Sequence, residues 1–421
     1  MNVLVRNVAF LVLHSSKIIW PAAVVVLTIS TLAYFVWNPP KVSTGNLDFN
    51  AFYCAARILS RHGDPYRYEP LHACERRNLH PKVPGAVVPA PLPPYGIAAF
   101  VPLSRLAYNR ATFLWSLAIV GSSLAVVWAI IELTGSPMLL VAICVLPMTL
   151  LQTLNIGGLA DIPIALVCGA SVAIVRERYT AAAILLGFAC IEPHVAMPAA
   201  LALFIILPKM RARLAVVALF ATAVSAAVGL ELSREYLASV LPAHAMSEAG
   251  FSGQYSLTSL LYSVGLPAKA ALTLGSLQYA LFVGIGVCAA GPVARRLSNS
   301  ALVLTPVAFA VAGGTFVHAT EIAAALPLAM LLAARLRSLS SWAAVGLLAV
   351  PWELIFSAGS PPTSFSDVHA PPGALAEVAW KALFEQVLPS PPQAVWHVAV
   401  YLGLGLVYWN LFQLLRRPIE R

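Results

Sequence analysis

Residues 22–37 read AAVVVLTISTLAYFVW and are apolar on every side. A membrane strand would alternate polar and apolar positions, so a run without alternation is read as a helix whose solvent is lipid. The same character recurs along the 421-residue chain, which is 60% hydrophobic and 10% charged. Those proportions place most of its surface in a bilayer. About 20 helical residues cross a hydrocarbon core while satisfying their own backbone hydrogen bonds. Apolar runs fall near 18–37, 94–107, 111–133, 137–153, 159–175, 180–193, 195–208, 213–231, 272–291, 300–316, 319–334, 340–357 and 396–414. They predict an all-α polytopic membrane protein of about ten to thirteen helical segments, forming one integral membrane domain over 1–421. Residues 18–37 are too long for a signal-peptide core and precede no small-residue cleavage site, so they read as an uncleaved first span with a cytoplasmic N-terminus.

The net charge of +9 does not point to nucleic acid, because the excess sits in small clusters between apolar runs. These are Arg6 with Lys17, Arg176 with Arg178, Lys209 with Arg211 and Arg213, Arg295 with Arg296, Arg335 with Arg337, and Arg416 with Arg417. The positive-inside bias assigns them to the cytoplasm. From residue 176 onward this puts CIEPHV (190–195), 232–271, TFVHATE (315–321) and 359–395 outside, together with a long first loop over 38–92. Polar residues distant in sequence are then expected to converge on one membrane face. In LQTLNIGGLADIP (151–163), Gly157, Gly158 and Pro163 interrupt a helix and predict a pair of short or re-entrant segments. Residues 81–95, PKVPGAVVPAPLPPY, read as extended, polyproline-like chain.

The first loop carries NLDFNAFYCAARILSRHGDPY (46–66). Phe52, Ala55, Ala56 and Leu59 follow helical spacing while Asn50, Arg57 and Arg61 take another face, the pattern of a helix lying in the membrane interface. Arg57 and Arg61 stack four residues apart, suited to lipid headgroups in general or to one substrate phosphate. Asp48 stands at the helix start, as an N-cap or as a chemical group. Asp64 belongs to an Asp-Pro turn. Cys54 and Cys74 share the loop; either they pair in an oxidising compartment, or Cys54 faces the apolar side of its helix. Cys144, Cys168, Cys190 and Cys288 lie in apolar runs.

DFNAFYCAARILSRHGDPY, followed by PLPPYGIAAFVPLSRL (91–106) and ATFLWSL (111–117), resembles the glycosyltransferase 87 family, polyprenol-phosphate-dependent membrane mannosyltransferases of the C-type fold. The specific likeness covers residues 46 to 116. Beyond it, NIGGLADIPIAL (155–166) stands where the family often has Gly-Gln-x-Asn, and Glu192 of CIEPHV replaces a usual lysine. The resemblance implies a C-type bundle with Asp48 as the catalytic carboxylate.

One carboxylate suits this chemistry. Glycoside hydrolysis uses two because a leaving alkoxide needs a proton, whereas a lipid-phosphate sugar leaves as a stabilised phosphate. A base for the acceptor hydroxyl and donors for the phosphate suffice. Candidate contacts to donor phosphate or substrate are Arg57, Arg61, Asp64, Tyr66, His194, Gln254 and His318, each with a structural reading beside it. Glu192, Asp161, Glu321 and Tyr255 are weaker candidates. No phosphate-binding Gly loop, no soluble DxD pair and no Cys/His metal spacing is present, so no cofactor is required. A divalent ion at Asp48 and Asp64 is conceivable. The expected partners are a polyprenyl-phosphate sugar, a lipid or glycan acceptor and membrane lipid, at the extracytoplasmic side of the cell (inner) membrane. A lipid-linked sugar flippase or transporter, or a non-catalytic partner in envelope glycan assembly, are the alternatives.

Overall fold

A computed structural model describes residues 46–78, 87–251, 253–352, 370–387 and 395–416. The first expected span, 18–37, and the N-terminus lie outside the described residues.

The first loop opens with α1 (Leu47–Leu59) and α2 (Tyr68–Asn78), followed by two short helices, α3 (Pro94–Ala99) and α4 (Val101–Ser104). The apolar run 94–107 is therefore no span: it is divided into two short helices, with Pro94 and Pro102 in their respective first turns. The bundle follows. It contains α5 (Tyr108–Thr134), α6 (Met138–Leu146), α7 (Asp161–Val175), α8 (Tyr179–Ala189), α9 (Pro193–Ile206), α10 (Pro208–Glu235), α11 (Leu241–Glu248), α12 (Leu257–Ser263), α13 (Ala268–Ala294), α14 (Ala301–Ala312), α15 (Ala319–Leu336) and α16 (Leu339–Ala349). The cap helix α17 (Ala376–Val387) and the last span α18 (Val395–Arg416) complete it. Among the described residues, five helices are long and apolar enough to cross a membrane, and six shorter apolar ones accompany them. The chain is a polytopic, all-α membrane protein. The predicted break at 151–163 is present: α6 continues through a π-helical stretch, Pro147–Gln152, and the turn Thr153–Ile156 before α7 begins at Asp161.

Two apolar clusters organise the chain. The larger fills the bundle between α5, α7, α8, α9, α14, α15, α16 and α18. Residues such as Phe113, Leu219, Phe220 and Leu281 turn outward, as lipid requires. The smaller cluster joins the first loop to the start of α5, to Tyr236 and Val240 beyond α10, and to Ala376 and Ala379 of α17. Here the interfacial reading of α1 is corrected. All residues from Phe49 to Ala56 are buried, because α2, α3 and α4 surround the helix. Its polar face is occupied as well: buried Asn50 donates to the Glu75 carbonyl and accepts from Asn78 at 2.9 Å.

The loop is fastened at several points. Cys54 of α1 and Cys74 of α2 form a disulfide. Arg67 pairs with Asp64 at 2.7 Å and with Glu235 at the end of α10. Its strand-like bridge to Leu375 brings in the segment before α17 through Tyr68 N to Ala374 O (2.9 Å) and Ala376 N to Tyr66 O (3.0 Å). Tyr66 and Tyr236 donate to the carbonyls of Leu92 and Pro91, pinning the proline-rich stretch. Inside this cap, burial pushes the Glu377 carboxyl up to about 7 and holds Glu75 well above the carboxylate range, Val88 N–H offsetting part of the latter.

Two measurements test the cap. Cys54→Ser with Cys74→Ser is expected to cost roughly 2–4 kcal/mol, the usual worth of a bridge closing a loop of this size, read as a lowered unfolding midpoint. Glu377 binds its proton more tightly folded than unfolded, so its contribution is complete below its ordinary pKa and is lost as pH rises through about 7. Glu377→Gln should therefore melt above wild type at pH 8.5 and show no gain at pH 4. Parallel melting curves at the two pH values check this.

A histidine–carboxylate site at one end of the bundle

Asp48 is not a helix cap. Asn46 takes that position in a left-handed conformation, and Asp48 falls in the first turn of α1, where the helix dipole favours its charge. The half-buried carboxylate is placed by the break before α7. Gly157, at φ +71°, lies so close that a Cβ there would stand 2.8 Å from the Asn46 Cα. A Cβ on Gly158 would stand 3.5 Å from Asp48 Oδ2. Trp115 of α5 locks this approach by stacking on Phe49 (centroids 5.4 Å apart) and donating to the Gly157 carbonyl at 2.9 Å. Asp161 follows the break, fully buried, and accepts from Ser123 (2.8 Å) and Thr153 (3.0 Å). Those bonds make it an anchor between α5, α6 and α7.

Within electrostatic reach of Asp48 lies Glu192, in the turn between α8 and α9. His194 follows in the first turn of α9, its Nε2 3.2 Å from Glu321 Oε1. The second oxygen of Glu321 accepts the His318 backbone N–H (3.1 Å), so this buried carboxylate caps α15 and orients His194 together. Tyr279 of α13 donates to the His194 carbonyl (3.1 Å), and Tyr95 of α3 to the Cys190 carbonyl (2.7 Å). The turn holding Glu192 is thus gripped from both sides.

Glu248, at the end of α11, is the hub of the remaining groups. Trp380 of α17 donates to it at 2.6 Å and Gln254 at 2.8 Å, while the imidazoles of His318 and His244 approach to 3.5 and 4.0 Å. Gln254 also accepts from Val317 N–H (3.1 Å), and its carbonyl lies 3.1 Å from His397 Nε2. Gln254 is buried; it holds the backbone before His318 instead of lining a groove. Tyr255 donates its backbone N–H to the Val317 carbonyl at 2.7 Å and serves the same end.

Asp48, His194, His318 and Gln254 thus come to one end of the bundle. The other named residues serve the cap: Arg57 donates to the Tyr53 hydroxyl (3.2 Å), Arg61 is exposed, Asp64 holds Arg67 and the Tyr66 N–H, and Tyr66 holds Leu92. The ligand atoms of Glu192, His194 and Glu321 all fall within 4.8 Å of one another. Sequence reasoning missed Glu248. The His-x-x-x-Glu spacing of His244 and Glu248, one helical turn apart, was the available signal.

At the opposite end, Arg176 pairs with Glu132, Arg213 donates to Thr180, and Lys209 lies over the Tyr179 ring. The basic clusters and the histidine–carboxylate group therefore occupy opposite ends of α8 and α9.

A multi-span helical bundle that gathers imidazoles and carboxylates at one end under a folded cap is a membrane protein built around a polar site. The model of glycosyltransferase family 87 matches residues 92–321, more than half the chain. The protein belongs to that family and is a glycosyltransferase. The match begins beyond Asp48 and takes in Glu192, His194, Glu248, His318 and Glu321. No curated protein matches the chain, and neither does any solved structure.

Gly157→Ala tests the placement of Asp48. Left-handed strain plus the clash with Asn46 should cost about 1–3 kcal/mol. Gly135→Ala carries similar strain at φ +64° with nothing within 4 Å, and should cost less. Unfolding midpoints of the two variants against wild type give the comparison.

Proposed function

We propose that the chain transfers a hexose, mannose in the first instance, from a polyprenyl-phosphate carrier to a hydroxyl of a lipid or glycan acceptor on the extracytoplasmic face. The observation that carries this reading is the delivery of Asp48, from a separate loop, to the broken start of α7 and within reach of Glu192. In a single displacement the acceptor oxygen attacks the anomeric carbon while its proton passes to Asp48. The bond from that carbon to the phosphate oxygen breaks, the electron pair leaves with the phosphate, and the configuration inverts. General-base assistance of this kind is worth about 10²–10⁴-fold. His194 and His318, held by Glu321 and Glu248, are the groups offered to the departing phosphate. The Cys54–Cys74 bridge fits an oxidising compartment, and the basic clusters at the far end fit the cytoplasm.

The broken helix at Gly157 and Gly158 also suits a transporter of lipid-linked sugars. Asp48→Asn separates the two, since asparagine keeps the shape and cannot take a proton. The variant, purified and shown by its melting curve to be folded, is expected to lose at least about a hundredfold in transfer of labelled mannose from polyprenyl-phosphate mannose to a membrane lipid extract. Equal transfer by both proteins would remove Asp48 from the chemistry. No transfer by either would remove this donor–acceptor pair.

A further inference from the structure

Among the described residues, four carboxylates, Asp48, Glu192, Glu248 and Glu321, meet at this end of the bundle, against three imidazoles, His194, His244 and His318. Each imidazole is charged only when protonated. A site of that balance repels the phosphate of an anionic donor unless it contains a further positive charge.

The turn between α8 and α9 and the start of α15 hold groups that would take a cation. Glu192, His194 and Glu321 offer one oxygen, one imidazole nitrogen and one oxygen, all within 4.8 Å of one another. His194 Nε2 and Glu321 Oε1 already stand 3.2 Å apart, the spacing of neighbouring ligands around an ion bound at about 2.0–2.2 Å. Glu192 Oε2 is buried and has no hydrogen-bond partner. A buried carboxylate oxygen left in that state costs free energy that coordination would recover. The outer contacts suit a ligand set too: Glu321 Oε2 is fixed by the His318 N–H, and the Tyr279 hydroxyl steadies the His194 backbone. His194 and Glu192 come from one tight turn, and Glu321 comes from the first turn of α15 against it.

We propose that Glu192, His194 and Glu321 form a binding site for a divalent cation of mixed oxygen and nitrogen preference, of the Mn²⁺ or Zn²⁺ type. Two carboxylates and one imidazole favour such ions over Mg²⁺ or Ca²⁺, which prefer all-oxygen shells. Three protein ligands leave coordination positions open for oxygens of a substrate. That a phosphate occupies them rests on the transfer reading above; the binding of the ion does not.

The test uses the full chain in detergent, stripped with a chelator and titrated calorimetrically with Mn²⁺ and with Zn²⁺ in the absence of any donor. One ion per chain is expected. Glu192→Gln, His194→Gln and Glu321→Gln, each near-isosteric, should weaken it at least about tenfold. The exposed cap histidine variant His62→Ala should bind as wild type does. Absence of stoichiometric binding to the wild type overturns the proposal, whether or not the variants fold. So does binding that survives in Glu192→Gln and His194→Gln proteins with normal melting curves. Mannose transfer is then measured on stripped protein with and without the ion. Transfer by a protein that binds no ion sinks the cation site and leaves the transfer reading intact. Binding without transfer upholds the site and sinks the donor.

Discussion

Trp115 holds three separate pieces of chain in register. The break between α6 and α7 frees a backbone carbonyl at Gly157, and in a membrane such a group must find a partner within the protein. The indole N–H of α5 supplies it, while the face of the same ring stacks on Phe49. Gly157 has no Cβ, so the Asn46 backbone can enter the space a side chain would fill. Satisfying one orphaned carbonyl thereby fixes where α1 begins, and with it the direction from which Asp48 meets the bundle. The cap then repeats the device, using Tyr66, Tyr95 and Tyr236 to close main-chain carbonyls across long sequence separations.

A comparable economy governs the polar end. Glu248 and Glu321 each face two elements and accept from both, so that His194 and His318 are placed by carboxylates that are themselves held. Such a network is expensive to leave half made, since every buried polar atom without a partner costs more than the bond it lacks would add. Its members come from α9, α11, α15, α17 and the segment before α12. The site is consequently a property of the assembled bundle, and no single segment carries it.

Hydropathy, the helix breakers Gly157, Gly158 and Pro163, and the placement of basic residues revealed the helical class, the break near Gly157 and the gathering of distant polar residues at one end. These depend on lipid and on charge, which act on each residue largely by type. What stayed hidden depends on particular long-range partners. The α1 pattern looks interfacial because nothing in its own sequence announces α2, α3 and α4, which enclose it. The run 94–107 looks like a span by composition, although its prolines divide it into two short helices under the cap. Asp48 looks like an N-cap because helix starts are set by backbone geometry, and here Asn46 adopts the left-handed turn one residue ahead of Leu47. Glu248 was overlooked because it lies in the polar stretch 232–271, where an acid reads as solvated, and only the folded chain shows Trp380 and Gln254 turned toward it.

The lengths of the shorter helices have a consequence for the proposed lipid donor. At 1.5 Å per residue, α7, α8, α9 and α14 extend about 16–22 Å from the basic end, short of a hydrocarbon core roughly 30 Å thick. For the transfer proposed above, with the basic end at the cytoplasmic surface, the turn holding Glu192 and the start of α7 would lie below the level at which headgroups ordinarily float. A lipid donor reaching them would sink by about 10 Å, and its tail would have to find room deeper in a leaflet that is already full. A pair of straight acyl chains resists being driven downward against the opposing leaflet. A single long chain with many bends can coil sideways. Depth alone thus grades lipids by the pliability of their tails, before any part of the headgroup is read.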